Sequence, residues 1–103
     1  MIQFESESVG SIDAKSILED TQQLKKELEE KAIDLIFDCS EFVLEAPLLN
    51  EFHKLQKDYN KCLVIILPVE KHEDHSANWN LVPSMQEALD FISFEQMQRD
   101  LGF

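Results

Sequence analysis

Basic residues are scarce in this chain: nine lysines and arginines stand against twenty-one carboxylates, for a formal charge of −12. So few cations cannot displace counterions from a phosphate backbone, so direct nucleic-acid binding is not expected. A protein partner with a basic contact face remains compatible with that charge. The two cysteines, Cys39 and Cys62, are too few for a disulfide scaffold, and both flank predicted strands, which suits reduced, half-buried thiols. The start of the chain lacks a basic segment followed by an apolar run, and no stretch approaches membrane-spanning length. The expectation is a cytoplasmic protein that does not enter a membrane. Internal repeats and low-complexity tracts are also missing.

Placed chemistry is equally sparse. His72 and His75 lie three apart among Glu70, Glu73 and Asp74, but a zinc site needs a third and fourth positioned ligand, so this segment reads as a solvated loop without metal. His53 reads as a surface residue. Asp34 and Asp38 share one face of a predicted strand, yet at ~3.3 Å per residue they stand roughly 13 Å apart, too far for a paired acid site. No Ser, His and Asp arrangement has supporting context. The reading is therefore a protein without catalysis, cofactor or metal.

What is present is a folded pattern. The 103 residues suffice for one domain, and the 44% hydrophobic fraction argues against disorder. Ile33–Asp38 and Cys62–Leu67 are continuous apolar runs with little alternation, as in strands buried on both faces, and a single helix between them implies parallel neighbours. That helix opens at Pro47 and carries Leu48, Leu49, Phe52 and Leu55 on one face. Ile2–Phe4 reads as a short strand and Gly10–Asp13 as a turn with Asp13 as N-cap. Ala14, Ile17, Leu18, Thr21, Leu24 and Leu28 then mark one amphipathic helix over residues 14–30. Val69–Asn80 reads as an exposed connection anchored by Trp79, and Leu81–Val82 as a brief strand. Ser84 with Glu87 forms a capping box that starts the last helix. Ser93 with Gln96 suggests a second box, so that residues 93–103 form a separate short helix or a kinked extension, with Glu95 and Arg99 spaced for an ion pair. The fold class is α/β: a small mixed sheet with a parallel central β-α-β unit and helices packed on it.

Ligands and partners favour the strand ends of such units. Here the loop of residues 39–46 contains no glycine-rich cradle. Ser40, Phe42, Val43, Leu44, Glu45 and Ala46 are the candidate partner-binding residues, with Phe42, Val43 and Leu44 supplying apolar contact unless they fold inward. Phe94, Met97 and Leu101 form a candidate assembly face, through which two copies would pair as a homodimer. If residues 93–103 instead cover the domain's own core, their deletion gives insoluble protein and not a monomer.

The order β-α-β-α-β-loop-α, the segment LeuIlePheAspCysSer (35–40) and the closing ValProSerMetGlnGluAlaLeuAspPheIle (82–92) together resemble the STAS family of anti-sigma-factor antagonists. Asp38, Cys39 and Ser40 match its Asp-x-Ser strand end, and Pro83 to Ala88 match the start of its last helix. The resemblance covers roughly residues 30–103. It implies a SpoIIaa-like fold, abbreviated at the N-terminal strands and before the last helix, acting as a single domain through protein–protein contact. The tail PheGluGlnMetGlnArgAspLeu (94–101) is similar to the acidic extension of a bacterial STAS-like subgroup that accompanies ribonuclease Z. The implied partners are a sigma-factor regulator or that ribonuclease; an accessory or self-associating structural role is the alternative. Family antagonists carry a phosphorylated serine at the helix after the central strand. Between Ser40 and Ser76 this chain has no serine or threonine, so the resemblance implies a module that has lost its phosphoswitch. Glu45 lies nearest the vacated place, either as a fixed negative charge at the helix start or as a cap-like structural residue.

Overall fold

The computed structural model describes residues 1–74 and 79–102. The elements are β1 (Gln3–Ser6), β2 (Val9–Asp13), α1 (Ala14–Glu19), α2 (Thr21–Glu30), β3 (Asp34–Asp38), α3 (Ala46–Asp58), β4 (Leu63–Ile66), a 3-10 helix (Val69–Asp74), β5 (Asn80–Val82) and α4 (Met85–Asp100). The strands form one sheet in the order β1-β2-β3-β4-β5. β1 runs antiparallel to β2, and the remaining pairs are parallel. The expected mixed α/β fold with its parallel β3-α3-β4 unit is what the chain adopts.

This strand order has a geometric consequence. Parallel crossovers are right-handed, so a sheet laid down in one direction places successive crossover helices on the same face. That face holds the larger core: Ile12, Leu35, Phe37, Leu63 and Ile65 from the strands pack with Ile17, Leu24, Leu28, Leu49 and Phe52 from α1, α2 and α3. Phe37 and Phe52 meet edge to face, with ring centroids 5.3 Å apart at 77°. The opposite face presents Val9, Ile36, Val64 and Ile66. Its helix is α4, which follows the last strand and lays Ala88 and Ile92 on that surface.

Several local expectations change. Gly10–Asp13 is not a turn but belongs to β2, and the hairpin turns instead at Glu7–Ser8. A side chain at Gly10 would lie 2.7 Å from Ile33 Cδ1 and closer still to Ile2, so the glycine serves close packing inside the sheet. Residues 14–30 form two helices and not one. Asp20, at φ −147° and ψ 63°, ends α1 and caps α2 by accepting from Gln23 N at 3.2 Å. A short carboxylate that can bond the backbone locally competes with helix continuation, and here it wins.

At the other end, α4 is a single sixteen-residue helix. The Ser93 box does not form, because Gln96 points to Ser8 and Asp34, and the expected Glu95–Arg99 pair gives way to an Arg99–Asp34 ion pair. Asp13 and Ser84 cap α1 and α4 as expected, accepting from Ser16 N and Glu87 N. Of the segment expected as an exposed connection, residues 69–74 form the 3-10 helix and 75–78 lie outside the described residues. Trp79 does anchor it: the indole is buried and donates to Asn50 Oδ1 at 2.8 Å. Asn60 takes φ 58° just past α3, where an asparagine tolerates the left-handed turn that starts the return to β4.

Phe52 is fully buried at the junction of α3 and the sheet. Phe52→Ala is expected to destabilise the domain by about 3–5 kcal/mol, the cost of lost transfer energy plus a cavity. Denaturant unfolding followed by circular dichroism measures it, and a loss below about 1 kcal/mol would contradict this packing.

Candidate functional site

β2 and β3 end together, with Asp13 and Asp38 in register as neighbours. Both carboxylates are engaged in shaping the turns that follow. Asp13 accepts from Ser16 Oγ at 2.7 Å and Ser16 N at 3.1 Å, and these bonds hold its pKa below the usual carboxylate value. Asp38 Oδ1 accepts from Ser40 N at 3.0 Å and Ser40 Oγ at 2.6 Å, folding the chain sharply away from the sheet. Cys39, between them, donates its N–H to Ile66 O and buries its thiol, whose pKa burial pushes up to about 11. A thiol in that state is not a nucleophile at neutral pH.

The loop then divides its side chains between core and surface. Leu44 is 2% exposed and belongs to the larger core, and Val43 packs against that core, so these two fold inward. Phe42 stays 44% exposed, with Ser40, Glu41, Glu45 and Ala46 at the surface around it. A groove of about 390 Å³ runs beside the Phe42 ring between Asp13, Lys15, Asp38 and Glu41. Of the six candidate contact residues, four are therefore presented at the surface in this conformation, with Val43 half-buried and Leu44 inside.

Glu45 occupies the N-cap position of α3 with extended backbone, and its carbonyl accepts from Leu48 N and Leu49 N, both at 3.1 Å. Its side chain makes no capping bond. The capping work falls to the backbone, assisted by Pro47 in the first turn, and the carboxylate is left exposed at the helix start.

The opposite ends of the strands hold a polar cluster that sequence reasoning passed over. Asp34 is 1% exposed. Its Oδ1 accepts from Cys62 N at 2.9 Å, and its Oδ2 accepts from Gln96 Nε2 at 2.7 Å and Arg99 Nη2 at 2.6 Å. Gln96 also donates to Ser8 Oγ, and Arg99 Nη1 to Asn60 O at 3.1 Å. From the other face, Gln56 of α3 donates to Ile33 O at 2.7 Å and Cys62 O at 3.0 Å. Burial alone would raise the Asp34 pKa, but the Cys62 amide, Arg99 and Gln96 outweigh it and leave the carboxyl below its ordinary value. The nearby Cys62 thiol is pushed up to about 12, first by burial and then by the Asp34 charge. An aspartate in an apolar strand was the available signal; its partner sixty-five positions away had none.

The remaining candidates separate. His72 Nε2 sits 2.6 Å from Leu67 O, and His75 lies outside the described residues. His53 is half-buried and not a plain surface residue, with Nδ1 enclosed. Among the described residues, no group of three or more His, Cys, Asp or Glu is placed to hold a metal, and no helix is long and apolar enough to cross a membrane. Phe94 and Met97 on α4, and Leu101 at its C-cap, are exposed. Comparison with family models, with curated proteins and with solved structures gave no match.

The Asp34 cluster sets an acid limit on stability. A carboxyl whose folded pKa is lowered contributes stability that is present above its unfolded pKa of about 3.9 and is lost as pH falls through the folded value. Asp34→Asn is expected to lower stability at pH 7 and to flatten its pH dependence below about pH 4. Arg99→Met, which strands a buried carboxylate, should cost toward the lower end of about 3–5 kcal/mol, since the guanidinium is partly solvated. Urea titrations at several pH values check both, and unchanged acid sensitivity in Asp34→Asn would contradict the assignment.

Proposed function

We propose that this chain is a protein-binding module without chemistry of its own, in the manner of a reduced STAS domain, and that its docking face is the loop of residues 40–46. The observation that carries the reading is Phe42, kept 44% exposed at the carboxyl ends of two parallel strands. The loop beneath it is fixed by the Asp38–Ser40 bonds and by burial of Leu44. An exposed aromatic side chain on a loop held at Ser40 and Leu44 is the kind of anchor that dominates protein interfaces, because the loop backbone has less entropy to lose on docking. Asp13, Asp38 and Glu41 outnumber Lys15 in the groove beside the ring, which favours a partner with basic residues at the rim of its contact surface.

The absence of serine and threonine from residues 41–75 supports binding that is not released by phosphorylation at the start of α3. Glu45, with its carboxylate free at that helix start, is read as a constant negative charge there. A sigma-factor regulator or ribonuclease Z is the partner that the STAS resemblance suggests. Phe94 and Met97 on α4 and Leu101 at its C-cap, all exposed, favour the second reading in its accessory-subunit form, since a chain of charge −12 is poorly suited to self-association through them.

The test compares capture of partners from the native host by wild type, Phe42→Asp and Leu18→Asp, the last an exposed apolar control on α1. Leu44 is left intact because it belongs to the core. The expected outcome is a partner whose recovery falls at least about tenfold with Phe42→Asp, as for an interface anchor, and not with Leu18→Asp. Equal recovery by all three proteins at equal thermal stability would remove the loop from the function.

A further inference from the structure

The carboxyl-terminal half of α4 is amphipathic in the reverse sense. Its polar side chains Gln96 and Arg99 face the domain and hold Asp34, while Phe94, Met97 and Leu101 face solvent at 57%, 57% and 65% exposure. Steps of three and four residues put these three on one stripe, about 10 Å long at 1.5 Å per residue. A surface helix ordinarily turns such a stripe to the core. In α4 only the first half does so, through Ala88 and Ile92. The second half is fastened by polar bonds, so its apolar side chains have no packing role in the domain, and an exposed apolar stripe of this kind marks an interaction surface.

Charge decides between occupants. α4 carries four carboxylates, Glu87, Asp90, Glu95 and Asp100, and one cation. That cation, Arg99, is committed to Asp34. Glu87, Asp90 and Asp100 are exposed on the helix that bears the stripe. A second copy would bring the same carboxylate-flanked stripe against itself, in a chain already at −12. A segment with an apolar ridge flanked by lysine or arginine satisfies both the stripe and its rim.

We propose that Phe94, Met97 and Leu101 form a docking surface for a basic, apolar-ridged segment of another protein, distinct from the loop of residues 40–46. α4 starts with Met85 near Asp13 and Asp38 and ends with Arg99 on Asp34 at the other ends of the strands. The two surfaces therefore lie toward opposite ends of the strands. The inference stands whether or not the loop binds anything, and it makes the chain a two-sided connector if both do.

The experiment places a photo-crosslinking residue at position 97 of the full chain in the native host, with position 86 on the same helix as control, and maps the adduct to a peptide. The expected result is an adduct at position 97 but not 86, in a partner peptide that contains lysine or arginine beside apolar residues. Binding of that synthetic peptide to purified protein should weaken at least about tenfold with Leu101→Asp or Phe94→Asp. It should weaken also in ~1 M salt, where screening shortens to about 3 Å. Phe42→Asp should leave it unchanged. An adduct with a second copy of this chain, with lipid or with an acidic peptide overturns the proposal. So does no adduct, or a peptide affinity indifferent to both stripe variants at unchanged thermal stability.

Discussion

A single buried carboxylate joins the parts of this fold that sequence order leaves unconnected. Asp34 sits at the start of the central strand with 1% of its surface exposed. It receives a backbone amide from the residue preceding β4 and two side chains from the far end of α4. The need for such a tie follows from topology. Strands added in one direction with right-handed crossovers send α1, α2 and α3 to one face, so the second face depends on α4, which is not a crossover between two of these strands. Phe94 and Met97 in its second half are exposed, and residues 93–100 are held by bonds of Gln96 and Arg99 to Asp34, with Ser8 Oγ and Asn60 O alongside. Burial of an ion pair is a weak source of net stability, because desolvation offsets most of the attraction. Its contribution here is position: two donors with fixed spacing on α4 meet one acceptor on β3.

That fastening also explains the surface. A helix held by Gln96 and Arg99 is free to present Phe94, Met97 and Leu101 outward, where an apolar fastening would have turned them in. At the other end of the strands the same division recurs in miniature. Asp38 fixes Ser40, Leu44 sinks into the core, and Phe42 is left at the surface. In both places a polar bond local to the backbone or the core frees an apolar side chain for contact. In a chain of charge −12, carboxylates outnumber cations beside Phe42 and along α4, which disfavours self-association and admits partners of opposite charge.

The elements that a sequence reveals are those set by local pattern, and this chain shows where that ends. The apolar runs at residues 33–38 and 62–67 announced parallel strands because burial on both faces leaves no alternation. Pro47 and Ser84 marked helix starts because their effects act within one turn. Nothing in the 14–30 periodicity distinguishes a carboxylate on the solvent face from one that, like Asp20, caps a new helix. Gly10 reads as a turn residue in the sequence, because its crowding by Ile2 and Ile33 exists only in three dimensions. Phe42, Val43 and Leu44 were alike in sequence and are sorted into surface, boundary and core by the direction in which Asp38 turns the loop. The Asp34–Arg99 pair was hidden by the nearer Glu95–Arg99 spacing, a local contact of a few tenths of a kcal/mol on the ~0.2–0.5 scale. A buried acceptor takes precedence over that.

The central claim is that α4 is two differently held halves, the first packed by apolar contact and the second fastened to Asp34. Native-state hydrogen exchange of wild type and Asp34→Asn, read amide by amide along α4, tests it most directly. The account predicts that residues 93–100 lose protection in the variant while 89–92 keep theirs relative to the sheet. Equal loss along the whole helix, or no change at residues 93–100, would contradict it.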